Sequence, residues 1–153
     1  EGRVIPSTLA RQLAYYVVLY SPVQMAADLP ENYEKAPRAL DFIRQVPVDW
    51  ERSIVLGGEI GEFAVFARQE RGAENWYVGG ITDDHARSFD VDFSFLPHGK
   101  RYSVTLWQDG ETGGIDGDRF AMDVRTFTVT SEDKRIIAMK AGGGFAMSVQ
   151  PVE

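Results

Sequence analysis

From residue 46 onward the chain is a succession of about eight short runs in which apolar and polar residues alternate, and that pattern leaves few folds open to it. SFDVDFSFL (88–96) is the strictest run: Phe89, Val91, Phe93 and Phe95 recur at every second position. That is the period of a strand with one buried face. IVLGGEI (54–60), EFAVFARQ (62–69), WYVGGIT (76–82), RYSVTLWQD (101–109), RFAMDVRTFTVT (119–130), RIIAMKA (135–141) and GFAMSVQPV (144–152) complete the set. The breaks between them carry turn residues, among them Pro97-His98-Gly99, Asp109-Gly110 and Gly142 to Gly144. Short strands at this spacing predict an antiparallel sandwich or barrel, and residues 46–153 are about the size a β-sandwich needs.

The first 45 residues read differently. STLARQLAYYVVLY (7–20) predicts a helix, with Ser7 or Thr8 able to cap its first turn and Leu9, Leu13, Tyr16, Val17 and Tyr20 on one face. Residues 22–28 predict a strand ended by Leu29-Pro30, and 37–45 a second helix with Pro37 near its first position. Helix, strand, loop, helix is an α/β pattern, and its one strand finds no partner of the same kind in the chain. The expected organisation is an α/β segment at 1–45 and a β-sandwich at 46–153.

Composition narrows the function classes. The 153 residues carry a net charge of −7, which argues against nucleic acid, because phosphate binding wants a basic face. Cysteine is absent, so disulfides, thiolate metal sites and a cysteine nucleophile are excluded. No run reaches the roughly 18 apolar residues of a membrane span.

Few residues carry chemistry. Asp28 stands at the C-terminal end of the predicted strand, where parallel barrels build their active sites; it is a candidate substrate-binding carboxylate or a turn residue. The stretch from Asp109 to Asp118 is acidic and glycine-rich and offers oxygen ligands that could hold Ca2+, but its spacing is not that of an EF-hand, and it reads better as a solvated hairpin loop. His85 and His98 lie in turns without a third metal ligand. Trp107 falls on the strand face opposite Tyr102, Val104 and Leu106. It is a platform for stacking on a sugar, a packing surface for the preceding helices, or simply a member of the core.

ARQLAYYVVLYSPVQMAADLPENYE, FIRQVPVDWE, EIGEFAVFAR and NWYVGGITDD together resemble the C-terminal part of glycoside hydrolase family 97, bacterial α-glucosidases and α-galactosidases. The resemblance implies a parent with a catalytic (β/α)8 barrel upstream, a Ca2+ ion in that barrel and an oligosaccharide substrate. It also implies a periplasmic or secreted location. Residues 1–45 would then be the end of the barrel, and the missing neighbours of the 22–28 strand would be the other barrel strands. The family's catalytic and Ca2+-holding glutamates include a Glu-Gly-Val-Arg-Gly-Gln-Glu run that has no counterpart here; 57–62 is a strand-to-strand turn. The chain alone is therefore expected to be catalytically inactive, with no cofactor of its own. The alternative is a freestanding carbohydrate-binding or interaction module. For the apolar 7–20 helix three arrangements are open: a dimer, a swapped barrel segment, or the helix folded back on the sandwich.

Overall fold

The computed structural model describes residues 8–18, 38–47, 49–114, 117 and 121–152. The element order is α1 (Leu9–Val18), α2 (Arg38–Gln45), β1 (Trp50–Glu59), β2 (Phe63–Glu70), β3 (Trp76–Thr82), β4 (Arg87–Asp92), β5 (Tyr102–Asp109), β6 (Met122–Val129), β7 (Lys134–Met139) and β8 (Gly144–Pro151). The strands form a six-stranded sheet in the order β1-β2-β3-β8-β5-β6 and a two-stranded sheet of β4 and β7. Every pairing is antiparallel. The last strand fills the centre of the large sheet, between β3 and β5.

The alternation read from sequence sorts side chains onto the two faces of that sheet. Val65, Val78, Val104, Leu106 and Met147 turn inward and meet Val91, Ile137 and Met139 of the small sheet in one core. The opposite face carries Tyr77, Trp107 and Ala146, which pack with Leu9, Leu13 and Val17 of α1 and Phe42 of α2 in a second core. Strands β3 and β8 are thus covered on both sides. This is why WYVGGIT and GFAMSVQ read as nearly continuous apolar runs. Each buried Leu or Val contributes roughly 1.5–3 kcal/mol relative to exposure, so the second core is a substantial part of the fold.

The described part of the first helix, Leu9–Val18, is folded back on the sandwich. Leu9, Leu13 and Val17 are each no more than 1% exposed, and α1 lies on β3 and β8. Thr8 caps it, its Oγ1 accepting the backbone N–H of Arg11 at 3.1 Å. The approach is close enough to require glycine beneath it. A Cβ on Gly79 would stand 2.8 Å from Val17 Cβ and 2.9 Å from Ala14 O, and one on Gly144 only 3.0 Å from Arg11 Cα.

One strand stops short of its pattern. SFDVDFSFL is a strand only to Asp92; Phe93–Phe95 is a turn of 3-10 helix. Asp92 Oδ1 accepts the N–H of Ser94 at 2.9 Å, and that local bond competes with the ladder. Phe93 is still fully buried, so the period-two pattern described which residues face inward but not the backbone that brings them there. The predicted 22–28 strand and Asp28 lie outside the described residues.

Candidate functional site

Helix α1 covers only part of the outer face of the large sheet. Beside it, over β2 and β1, runs an open groove of about 470 Å³. Ala64, Phe66 and Ile81 are among its lining side chains, Arg11 of α1 contributes from the helix, and the β1–β2 turn contributes Glu59, Ile60 and Glu62. Val55, which also lines it, is 66% exposed, and Ile60 projects entirely into solvent.

Asp83 lies at this groove and belongs to a polar cluster built on the turn after β3. Its Oδ1 accepts the N–H of His85 at 3.0 Å and lies 3.0 Å from Arg87 Nη2. Arg87 Nε also donates to Thr82 Oγ1 at 2.7 Å, and its guanidinium lies over the Phe63 ring. The His85 ring is 3.1 Å from Asp84 Oδ1. Partial desolvation pulls the Asp83 carboxyl up, but the bonds from His85 and Arg87 outweigh it and hold the group below its ordinary value.

Asp83, Asp84 and His85 form the one group of potential metal ligands found among the described residues. Arg87 already occupies the cationic position against Asp83, so one of the two carboxylates of the cluster is paired from within. Nor does it suit glycoside hydrolysis. That chemistry pairs an ionised carboxylate with an acid kept protonated by its surroundings. Asp83 is held ionised, and Asp84 is 75% exposed.

The described carboxyl that burial does push up is Asp109, and its position corrects the sequence reading of a solvated loop. Asp109 is 4% exposed, at the end of β5 on the helix-covered face. Its Oδ2 accepts the backbone N–H groups of Lys140 at 2.8 Å and Gly144 at 3.0 Å, tying β5 to the β7–β8 turn. Burial raises its pKa, and the Thr8 side chain with the two backbone donors offsets part of the rise. That turn in turn holds α1, since Thr8 N donates to Gly142 O at 3.2 Å. A Cβ on Gly143 would lie 1.9 Å from Asp109 Oδ2, so the carboxylate is packed shut against backbone. The clue in the sequence was spacing: Trp107 and Asp109 share the face that Trp107 was assigned to.

Trp107 is 2% exposed, so its ring face is not offered to a sugar in this arrangement. It packs edge-on against Phe42 with ring centroids 5.1 Å apart, and its Nε1 donates to Arg38 O at 3.0 Å. It lies in the second core, packed against the preceding helices. Tyr77 completes the anchor. Its hydroxyl donates to Gln45 O at 3.1 Å, while Gln45 Oε1 accepts Ser148 Oγ at 2.6 Å. His98, the second histidine, meets Ser131 Oγ at 3.1 Å and has no acidic neighbour in that contact.

Comparison with known proteins matches this architecture. Residues 49–150 match the family described as glycosyl-hydrolase 97 C-terminal, oligomerisation. A retaining alpha-galactosidase of Bacteroides thetaiotaomicron is 42% identical over 145 residues, covering 94% of this chain and 21% of the relative. A solved glycoside hydrolase family 97 enzyme from Pseudoalteromonas sp. strain K8, in complex with acarbose, superimposes with a TM-score of 0.91 at 40% identity. That match covers 97% of this chain and 23% of the other. A β-arabinopyranosidase at 23% identity and a TM-score of 0.73 shares the fold alone. The chain spans about a fifth of the length of the curated relative it matches. On these grounds the chain belongs to the C-terminal domain family of glycoside hydrolase family 97.

Proposed function

We propose that this chain is the scaffolding C-terminal part of a retaining α-galactosidase, with the catalysis carried by the upstream part of the parent protein. The observation that carries the reading is the second core. Two helices that precede the β-domain are locked onto its central strands through Trp107, Tyr77 and Gln45. Such a joint fixes the β-domain rigidly to whatever the helices belong to. The described residues hold no enclosed acid–carboxylate pair, which retaining hydrolysis needs at about 5–5.5 Å. The galactoside reading follows the 42% identical relative. An α-glucoside is the second reading, favoured by the acarbose complex of the 40% identical structure.

The parent's Ca2+ ion belongs to the upstream barrel in this reading. The cluster of Asp83, Asp84 and His85 does not fit it, because Arg87 sits against Asp83. The family's description also supports an oligomerising role for the domain. A periplasmic or secreted location and the end-of-barrel role of residues 1–45, with Asp28 near the sugar pocket, are parts of the same proposal.

The test is to assay the full-length parent on aryl α-galactosides and aryl α-glucosides, following the anomer of the released sugar by NMR. Faster hydrolysis of the galactoside with retention is the expected result. No hydrolysis of either, or inversion, would overturn the reading.

A further inference from the structure

We propose that the groove beside α1 is the seat of an α-helix from the upstream part of the same polypeptide, one with an apolar stripe flanked by basic residues. The inference rests on the reading above that the chain is the C-terminal part of a larger protein, and it names the surface by which that protein is held together.

Three observations point to this occupant. The first is the half-covered sheet. Helix α1 already buries β3 and β8, and it is an element that precedes the β-domain in sequence. Helices packed side by side lie about 8–10 Å apart, and strands about 4.7–4.9 Å apart. The next helix beside α1 therefore falls two strands over, on β2 and β1, where the groove lies. Ala64, Phe66, Ile81 and Val55 present there the apolar surface that Leu9, Leu13 and Val17 cover next door.

The second observation is the length of chain available to supply that helix. The matched relative and the matched structure are covered to 21% and 23%, and the family is a C-terminal one. The third is charge. Glu59 and Glu62 lie at the hairpin side of the groove. Arg11 lines the groove on the α1 side. A basic flank meets the glutamates, and a helix-terminal carbonyl or a carboxylate meets Arg11.

Hydroxyl-radical footprinting of the full-length parent over a dilution series tests this. Ile136, 74% exposed on β7, and Val91, fully buried, supply the two reference levels within the same molecule. Val55 and Ile60 are expected to lose labelling from the Ile136 level to the Val91 level at every protein concentration. Val55→Asp, a change at a position that leaves the sandwich core untouched, is expected to restore labelling at Ile60 and Phe66. Labelling of Val55 and Ile60 like Ile136 at all concentrations overturns the proposal. Protection that appears only as concentration rises overturns it too, and assigns the groove to a second copy. The same preparation is assayed for hydrolysis. Protection without hydrolysis supports the docking while removing the galactosidase reading; hydrolysis with a fully labelled groove does the reverse.

Discussion

Adding a single methyl group at Gly79 tests whether α1 is seated on the sheet as described. The new Cβ would lie 2.8 Å from Val17 Cβ, 2.9 Å from Ala14 O and 3.3 Å from Val18 Cγ2, against an ordinary contact of 3.4–4 Å. Two of these three neighbours are a backbone oxygen and a branch-point carbon, neither of which can swing aside. The helix must therefore lift by a sizeable fraction of an ångström along its whole contact. Overpacking of this kind costs about 1–3 kcal/mol. A compatible Gly→Ala change would instead stabilise by about 0.4–1 kcal/mol, through the unfolded chain. The net expectation for Gly79→Ala is a loss of up to about 2.6 kcal/mol, a fall in melting temperature of up to roughly 10 °C for a chain of this size. Urea unfolding gives the magnitude, and amide exchange gives the location. The amides of α1 should lose protection before those of β5 and β8. A variant that is more stable than the parent sequence, with α1 exchange unchanged, would refute the seating of α1 over Gly79.

Trp107→Phe removes the donor to Arg38 O and part of the buried ring, and is expected to cost about 2–4 kcal/mol in urea unfolding. Asp92→Ala frees the N–H of Ser94 and should lower stability by about 0.5–1 kcal/mol, with exchange accelerating over 93–95. Asp109 predicts a pH dependence. Because burial raises its folded pKa, the folded state holds this proton more tightly than the unfolded one. Its contribution to stability is most favourable below the ordinary value of 3.8 and is lost as pH rises through the raised folded value. Asp109→Asn should remove that component, giving a flatter stability profile across the same window, measured by melting at successive pH values.

The strands were legible because an antiparallel sheet with one wet face writes its burial into alternate residues. Phe89 and Val91, Tyr102, Val104 and Leu106, and the inward positions of β2 could be read directly, and so could the apolar stripe of α1. Thr8 as a cap was legible for the same local reason, a hydroxyl just ahead of a helical pattern. Other features were not local. The second core depends on α1 and α2 meeting β3, β5 and β8, elements far away in the chain; Gln45 and Ser148, for example, are 103 residues apart. A strand buried on both faces loses its alternation, so β8 could be recognised as a strand but not placed at the centre of the sheet. Asp109 looked like a loop carboxylate because its neighbours in sequence are glycines and acids. Its neighbours in space are the backbone donors of Lys140 and Gly144.

The order of polar and apolar residues by itself determined that an antiparallel sandwich follows the helices at 9–18 and 38–45, and which residues of each strand share a face. Only the tertiary structure decided what covers the second face: helices over β3, β8 and β5, and an open groove over β1 and β2. The reason is physical. Periodicity records that a side chain leaves water, but it carries no record of which distant surface takes the water's place.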